Sequence, residues 1–537
     1  MIVRRAGAAG AVAAGVGAVL GGRPLGLWRM VRGVRSGGRS LAGVLAGAAA
    51  RCPDAVALVD QAGPVTAREL DHAADDVARE VRDAWSGQGA VGVKVGDHRG
   101  FVAAVAGVLR AGADAVLIGP RTGADVLAPV IADQRIVLLI SDGPPGPTGP
   151  GPLVLEPTDT GAAADPPTAG TDPLPRGAPG AGQSREPRVV MLTAGTTGPP
   201  TVAAPTARGI TTERLLTQLG LLGVCGIRRG RPVLVLTPLF HGHGYAFLAA
   251  GLLIGGPVVL AGARTGAQVC AAVARHDVGV VTGVPVHLRR LAEHLSTEHT
   301  DPAGGGGGRC PHVPAPDRVV SGSDRLPNDL VDTLTTHLGE VVVDLFGSTQ
   351  TGVLTAATPR DRRAAPGTVG RPVPGARLAV LDDDGRRCRA GAEGNVALMV
   401  GRSGPGRAVL SGDRGVFDRA GRLHLLGRTD GVVVCGGENV RPADVLAVLE
   451  AQPGVDSASV GPVPDAEYGT RLIADVVLVP EGPLPAAEAP GVLRDAVRAG
   501  IGPHAVPRTV RVVDALRRSA VGKPLPPVAP AVPAGPE

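Results

Sequence analysis

From Ser40 onward, short apolar runs alternate with longer stretches of helical period. Leu41–Arg51 and Ala67–Ala84 repeat apolar residues every three or four positions, which predicts amphipathic helices. Val91–Val95, Ala115–Ile118 and Ile136–Ile140 are short apolar runs that read as strands, with Phe101–Ala111 a helix between the first two. The rhythm resumes with strands expected at Val233–Leu236, Val258–Leu260, Val278–Val281, Val319–Val320 and Val341–Leu345. Such alternation predicts α/β layers around a mostly parallel sheet. From Arg377 to Val400 the pattern turns β-rich, and a last α/β segment follows a break near Arg428–Gly437.

Two stretches interrupt the pattern. Residues 143–187 are dense in Pro, Gly, Ala and Thr, with a brief apolar break at Leu153–Leu155, and read as a mobile surface linker. Gly304–Gly308 reads as a second flexible loop. At 537 residues the chain is too long for one core. The expected organisation is a basic extension at 1–39, a large domain at 40–429, a small α+β domain at 430–525 and a Pro-rich tail at 526–537.

Composition narrows the chemistry. Hydrophobic residues at 44% exclude a disordered chain, and with aromatics at 2% any ring on a functional loop carries information. The net charge of +5 is spread along the chain, without a basic block interleaved with aromatics, so no nucleic-acid partner is expected. Six cysteines stand far apart with no C-x-x-C pair, which argues against a zinc site or a disulfide framework and fits a reducing cytoplasm. Residues 1–39 hold seven arginines and no carboxylate. That arm is open to several readings: a weak signal peptide, a basic helix resting on an anionic membrane, a plain helix or a disordered arm. Lysine occurs only at Lys94 and Lys523 among 54 basic residues, so a lysine here is a choice against arginine. A point-like ammonium reaches a carboxylate and a phosphate together better than a broad guanidinium does.

The stretch Val189–Thr201 begins as an apolar run and breaks into a Gly/Thr turn, Thr193-Ala194-Gly195-Thr196-Thr197-Gly198. Glycines let backbone N–H groups close on a ligand, and hydroxyls stand beside them, so the turn is a candidate phosphate cradle. With 81 glycines in the chain, a plain surface loop is the competing reading. It is not a Walker loop, since no Gly-Lys-Ser/Thr follows. His241 and His243 would alone be surface or packing histidines, and no third ligand nearby makes them a zinc site.

Several loops together resemble, in order, the adenylate-forming superfamily, and specifically a fatty-acyl-CoA synthetase, over roughly residues 40–525. Thr193–Thr201 resembles its phosphate loop, with Thr201 in place of the closing lysine. Pro238-Leu239-Phe240-His241-Gly242-His243-Gly244 resembles the loop whose histidine borders the acyl pocket. Ser321-Gly322-Ser323-Asp324 resembles the adenine-lining strand end. Leu345-Phe346-Gly347-Ser348-Thr349-Gln350 resembles Tyr-Gly-x-Thr-Glu, with Gln350 in place of the magnesium-binding glutamate. Ser411-Gly412-Asp413 resembles the ribose-binding Thr-Gly-Asp. Gly427-Arg428-Thr429-Asp430 with Gly436-Gly437-Glu438-Asn439 resembles the hinge region of CoA ligases, and Ser519–Lys523 the loop of the adenylating lysine.

The resemblance implies a large N-terminal α/β domain with a small mobile C-terminal domain, and a two-step reaction. A carboxylate would attack ATP to give an acyl-adenylate and pyrophosphate, and CoA would then displace AMP. Catalytic roles would fall to Lys523, Thr349 and His241. Nucleotide contacts would fall to Thr193, Gly195, Thr196, Thr197, Gly198, Gly322, Ser323, Phe346, Gly347, Asp413, Arg428, Gly436 and Gly437, with Asp430 the hinge. Mg²⁺ would enter with ATP and meet Gln350, whose amide oxygen ligates more weakly than a carboxylate. The expected acid is fatty or otherwise apolar, in a pocket lined around His241–Phe247 and Val281–Leu288. Two further readings stand beside the ligase: transfer of the acyl group to a carrier protein, and a non-catalytic paralogue that only binds nucleotide or acyl groups.

Overall fold

The computed structural model describes residues 40–142, 153–155, 186–193, 201–202, 212–262, 265–297, 314–348, 351–400, 407–428, 431–480, 482–517 and 526–527. The chain forms two compact units, dividing chiefly between Gly427 and Arg428.

The larger unit is layered α/β, as the alternation predicts. A nine-stranded sheet runs in the order 371–372, 352–357, 342–348, 318–322, 280–283, 233–235, 258–259, 56–60, 63–66. Its inner neighbours pair in parallel, and antiparallel pairs stand at both edges. A six-stranded sheet follows the order 153–155, 136–141, 90–94, 115–117, 189–193, 201–202, with the described pairs parallel. A four-stranded sheet spans 378–428, with the described pairs antiparallel.

Helices form where their periodicity places them. Leu41–Arg51 and Ala67–Ala84 are helical over those spans. The second opens on a capping box in which the Thr66 hydroxyl accepts from the Glu69 N–H and Glu69 reaches back to the Thr66 N–H at 2.8 Å. It packs on Arg99–Ala111 so closely that a Cβ at Gly107 would lie 2.6 Å from Val77. Asp71 and Arg110 pair across that contact.

Alternation within the nine-stranded sheet sorts its two faces. Val233, Val235, Val280, Val320 and Val343 pack into one core, and Leu234, Val259, Val281, Val319 and Val342 into another. The strand expected at Val278–Val281 runs instead over Val280–Gly283, because the Gly279 N–H turns to the Pro232 carbonyl. That shift brings Thr282 and Gly283 into the ladder.

One expectation is corrected outright. Leu153–Leu155, read as part of a mobile linker, is a strand in parallel register with Leu138–Ile140, which gives its backbone groups partners. The hairpin Val56–Asp60/Gly63–Thr66 was not foreseen. The remainder of 143–187 other than Glu186–Pro187, Gly304–Gly308, the arm at 1–39 and most of the tail lie outside the described residues.

The smaller unit is α+β. Strands 455–465 and 469–478 pair antiparallel, 509–512 joins in parallel, and helices Pro442–Glu450 and Ala489–Gly500 complete the layer. Val445, Leu449, Leu472, Val476, Leu493 and Val497 form its core.

Candidate active site

In the larger unit, His241, Gly322 and Ser323 follow or end parallel strands, whose carboxyl ends bind ligands in open α/β sheets, and Asp413 lies in the antiparallel sheet. Strand 233–235 runs into Pro238–His241, and His241 heads the helix Gly242–Ile254. The Leu239 N–H donates to the Asp97 carboxylate at 2.7 Å, which anchors this loop to the turn after strand 90–94. A Cβ at Gly244 would lie 2.4–2.5 Å from the carbonyl oxygens of Pro238 and Thr237, so the loop closes only with glycine there. The His241 ring rests on Phe240 at 4.1 Å between centroids. His243 shares a 2.6 Å hydrogen bond with Thr282 and packs against Phe247.

Strand 318–322 ends beside this helix. A Cβ at Gly322 would lie 2.9 Å from two ring atoms of His243, so the glycine makes room for the imidazole. Ser323 follows with φ +67°, an unfavourable conformation for a residue with a side chain and one that clusters at functional sites. On the next strand, a bulge falls between Phe346 and Gly347, and a Cβ at Gly347 would strike the Gly352 carbonyl at 2.1 Å. Phe346 is half-buried against Val380, Val396 and Leu423. Ser348 and Thr351 bond reciprocally at 2.9–3.2 Å. Earlier on the same strand, Asp344 forms a buried ion pair with Arg362 at 2.7 Å, and Arg362 also reaches Asn328 at 3.2 Å. Asp413 is buried on strand 407–417, its N–H donating to Ser411 Oγ at 3.2 Å.

Burial pushes both His243 and His287 down to about 4, so both rings are neutral at pH 7. Three side-chain atoms here are buried without a partner: Thr237 Oγ1, His287 Nδ1 and Ser321 Oγ. Of the apolar residues expected to line an acyl pocket, Phe247, Val281 and Leu288 are already packed into the two cores. Asp97 was not foreseen beside the site; Thr282 and His287 fall inside the stretch expected to line the acyl pocket, and Ser321 opens the loop expected to line adenine. A polar residue ends each of the runs Val280-Val281-Thr282 and Val319-Val320-Ser321.

In the smaller unit, Gly436 and Gly437 form a two-residue hairpin turn between strands 433–435 and 438–440, with φ +60° and +92°. Positive φ at both turn positions is what such hairpins require. A Cβ at Gly436 would lie 2.7 Å from the Tyr468 ring, so the turn needs glycine on two counts.

Thr193 and Arg428 end their strands, and their side chains are not described. Gly195, Thr196, Thr197, Gly198, Thr349, Gln350, Asp430 and Lys523 lie outside the described residues. Among the described residues, no group of three or more His, Cys, Asp or Glu could hold a metal ion, and no helix is long and apolar enough to cross a membrane. None of the five described cysteines is in a disulfide.

Layered sheets with strand-end glycine loops, followed by a small α+β unit, define an adenylate-forming enzyme architecture. The family model of the AMP-binding enzyme matches residues 45–403, and that of the AMP-binding enzyme C-terminal domain matches 445–523. The chain belongs to the AMP-binding enzyme family of the adenylate-forming superfamily. It is 29% identical over 335 residues to a probable CoA ligase, CCL9, of Humulus lupulus; the match covers 57% of this chain and 61% of that one. The chain therefore spans about three fifths of that relative's length. An uncharacterized acyl-CoA ligase of Bacillus subtilis (strain 168), YhfT, is 24% identical over 79% of this chain and 86% of its own. Among solved structures, o-succinylbenzoate CoA synthetase (MenE) from Bacillus subtilis superposes with a TM-score of 0.71 at 22% identity, over 90% of this chain and 97% of that chain, a likeness of fold.

Proposed function

We propose that the chain is an AMP-forming acid–thiol ligase. A carboxylate oxygen attacks the α-phosphorus of ATP and pyrophosphate leaves. The sulfur of CoA then attacks the acyl carbon of the adenylate, AMP leaves, and the thiol proton passes to solvent. The observation that carries this reading is the match of the AMP-binding enzyme model over residues 45–403 together with that of its C-terminal domain over 445–523. Gly244, Gly322, Gly347 and Gly436 fall in loops that match the family pattern, and each is packed so closely by neighbouring protein atoms that the loop conformation requires glycine.

In this reading Phe346 stacks on adenine, the backbone at Gly322–Ser323 lines it, and Asp413 takes the ribose hydroxyls. The Thr193–Gly198 turn cradles phosphates and Thr349 bonds near the α-phosphate. Arg428, Gly436 and Gly437 contact the nucleotide side, Lys523 bridges carboxylate and phosphate, and Asp430 is the hinge. Gln350 would offer its amide oxygen to a magnesium ion bound with ATP, which would neutralise charge on the triphosphate. No covalent enzyme intermediate is needed, so rate comes from positioning and charge stabilisation.

The names of the relatives support CoA as acceptor. An apolar or fatty acid is supported by the small apolar residues between His241 and Phe247 and between Val281 and Leu288. The basic arm at 1–39 supports a cytoplasmic enzyme that touches an anionic membrane surface. Thr201 and Gln350 favour a second reading, a non-catalytic paralogue, because each removes a charge the family places around the triphosphate. Incubation with ATP, magnesium and a mixture of fatty, aryl and short acids, with CoA or a carrier protein as acceptor, tests the proposal. AMP with an acyl-CoA supports it, acyl transfer only to the carrier protein changes the acceptor, and ATP binding without turnover supports the paralogue.

A further inference from the structure

We propose that Asp97 is a positioning residue for the acid substrate: through the Leu239 N–H it fixes the turn that presents His241 to the acyl group. The inference rests on the ligase reading and adds to it a residue supplied by the six-stranded sheet.

Asp97 lies in the turn that leads from strand 90–94 into helix Arg99–Ala111. Its neighbours hold the turn itself. The Gly96 N–H donates to Asp142 at 2.6 Å, and the His98 ring meets the same carboxylate oxygen at 3.0 Å. The other His98 ring nitrogen accepts the Gly100 N–H at 3.1 Å and caps the helix. Arg99 donates to Asp60 and to the Gly63 carbonyl, each at 2.7 Å, which ties the turn to the hairpin at the edge of the nine-stranded sheet. The base from which Asp97 reaches out is therefore fixed from two sides.

From that base the Asp97 carboxylate accepts the Leu239 N–H at 2.7 Å, across 142 residues of chain. Leu239 is the second residue of a turn closed by the His241 N–H on the Pro238 carbonyl at 3.1 Å. Its side chain is 0% exposed, in the core that also holds Val233 and Val235. The backbone just ahead of His241 is thus held by a buried side chain and by a carboxylate together. One residue past His241, a Cβ at Gly242 would lie 3.6 Å from Met191 Sδ. Met191 belongs to strand 189–193, which leads into the Thr193–Gly198 turn. The six-stranded sheet meets the His241 loop twice, once with Asp97 and once with Met191.

Other contacts keep the loop folded without Asp97: the Pro238–His241 turn bond, the burial of Leu239, and the close fit of Gly244 against Thr237 and Pro238. Loss of the carboxylate should therefore loosen the turn rather than unfold it. A loosened His241 weakens the acid equally in the ground state and the transition state, which raises KM and leaves kcat alone. Hydrogen bonds to a charged group are the stronger kind, so losing one corresponds to about tenfold or more in binding.

The test compares wild type, Asp97→Ala and Asp97→Asn in acid-dependent pyrophosphate release by the full chain, with the acid that the wild type turns over best. Asp97→Ala should raise the acid KM about tenfold, with kcat and the ATP KM within about twofold of wild type. Asp97→Asn keeps an acceptor oxygen and should recover most of that loss. Hydrogen–deuterium exchange reads the same contact without chemistry: the Leu239 amide should exchange faster in Asp97→Ala and near the wild-type rate in Asp97→Asn. Calorimetric binding of octanoyl- and benzoyl-sulfamoyladenosine, set against AMP, separates this inference from the ligase reading. Weaker analogue binding in Asp97→Ala with AMP binding unchanged, by a chain that releases no pyrophosphate, would support the positioning role and sink the ligase reading. A fall in melting temperature and kcat with the acid KM unmoved would mark Asp97 as structural only and overturn the proposal. So would failure of Asp97→Ala to fold, Leu239 exchange indifferent to residue 97, an Asp97→Asn variant as impaired as Asp97→Ala, or no analogue binding by the wild type.

Discussion

Adding one methyl group at Gly322 should disturb the centre of the proposed site. The Cβ of Gly322→Ala would lie 2.9 Å from Cε1 and Nδ1 of His243. Comfortable contact begins at about 3.5 Å, so the ring must retreat by about 0.6 Å or the strand must shift. The ring is tied on its far nitrogen to Thr282 at 2.6 Å, and Thr282 is 0% exposed. Retreat of that size stretches the bond toward the limit of hydrogen-bond geometry. Leaving the Thr282 hydroxyl unpaired costs about 1–3 kcal/mol, and overpacking alone costs a similar amount, so about 2–4 kcal/mol is expected once relaxation trades one against the other. The assay is calorimetric melting of wild type, Gly322→Ala, His243→Ala and the double variant. Because the clash needs both groups, the double variant should be clearly more stable than the two single losses added together. The acid KM should rise in Gly322→Ala. An unchanged melting temperature and KM, or strict additivity, would refute the packing argument.

Three further outcomes follow from the same account. Lys523→Ala should abolish acyl-adenylate formation yet spare thioester formation from supplied adenylate, and Asp430→Pro should do the reverse because proline fixes φ at the proposed hinge; equal loss of both half-reactions in either variant refutes that residue's role. His243 and His287 sit at about 4 in the folded chain against an ordinary 6.5, so the unfolded chain binds more protons between these values and stability falls as pH drops from about 6.5 toward 4. The slope is at most about 1.4 kcal/mol per pH unit for each ring; pH-dependent melting should show it, and His287→Gln should flatten it. A chain without residues 1–39 should lose binding to anionic vesicles, and full-length binding should weaken as salt rises; binding that ignores salt contradicts the surface role.

Much of the fold was written in local pattern. Leu41–Arg51 and Ala67–Ala84 carry enough periodic apolar positions to define helices unaided, and the valine runs of the parallel strands define themselves. The hairpin 56–66 and the strand Leu153–Leu155 were missed for one reason: short strands take their stability from partners far along the chain, not from their own sequence. The site divides in the same way. Loops with contiguous glycines, such as Pro238–Gly244 and Gly436–Gly437, can be read from neighbouring residues. Thr282 and Ser321 cannot, because register between adjacent strands and the two-residue shift of strand 280–283 set them at the strand ends. Phe247, Val281 and Leu288, from the stretches expected to line the acyl pocket, are buried in the two cores.

Acid-dependent exchange of labelled pyrophosphate into ATP tests adenylation most directly, since it reads the first half-reaction without CoA or any acceptor. The account predicts exchange that requires both magnesium and a carboxylic acid, and that disappears in Lys523→Ala. Tight ATP binding with no exchange across hydroxy, keto, aryl and fatty acids would contradict it and leave the chain a nucleotide-binding paralogue.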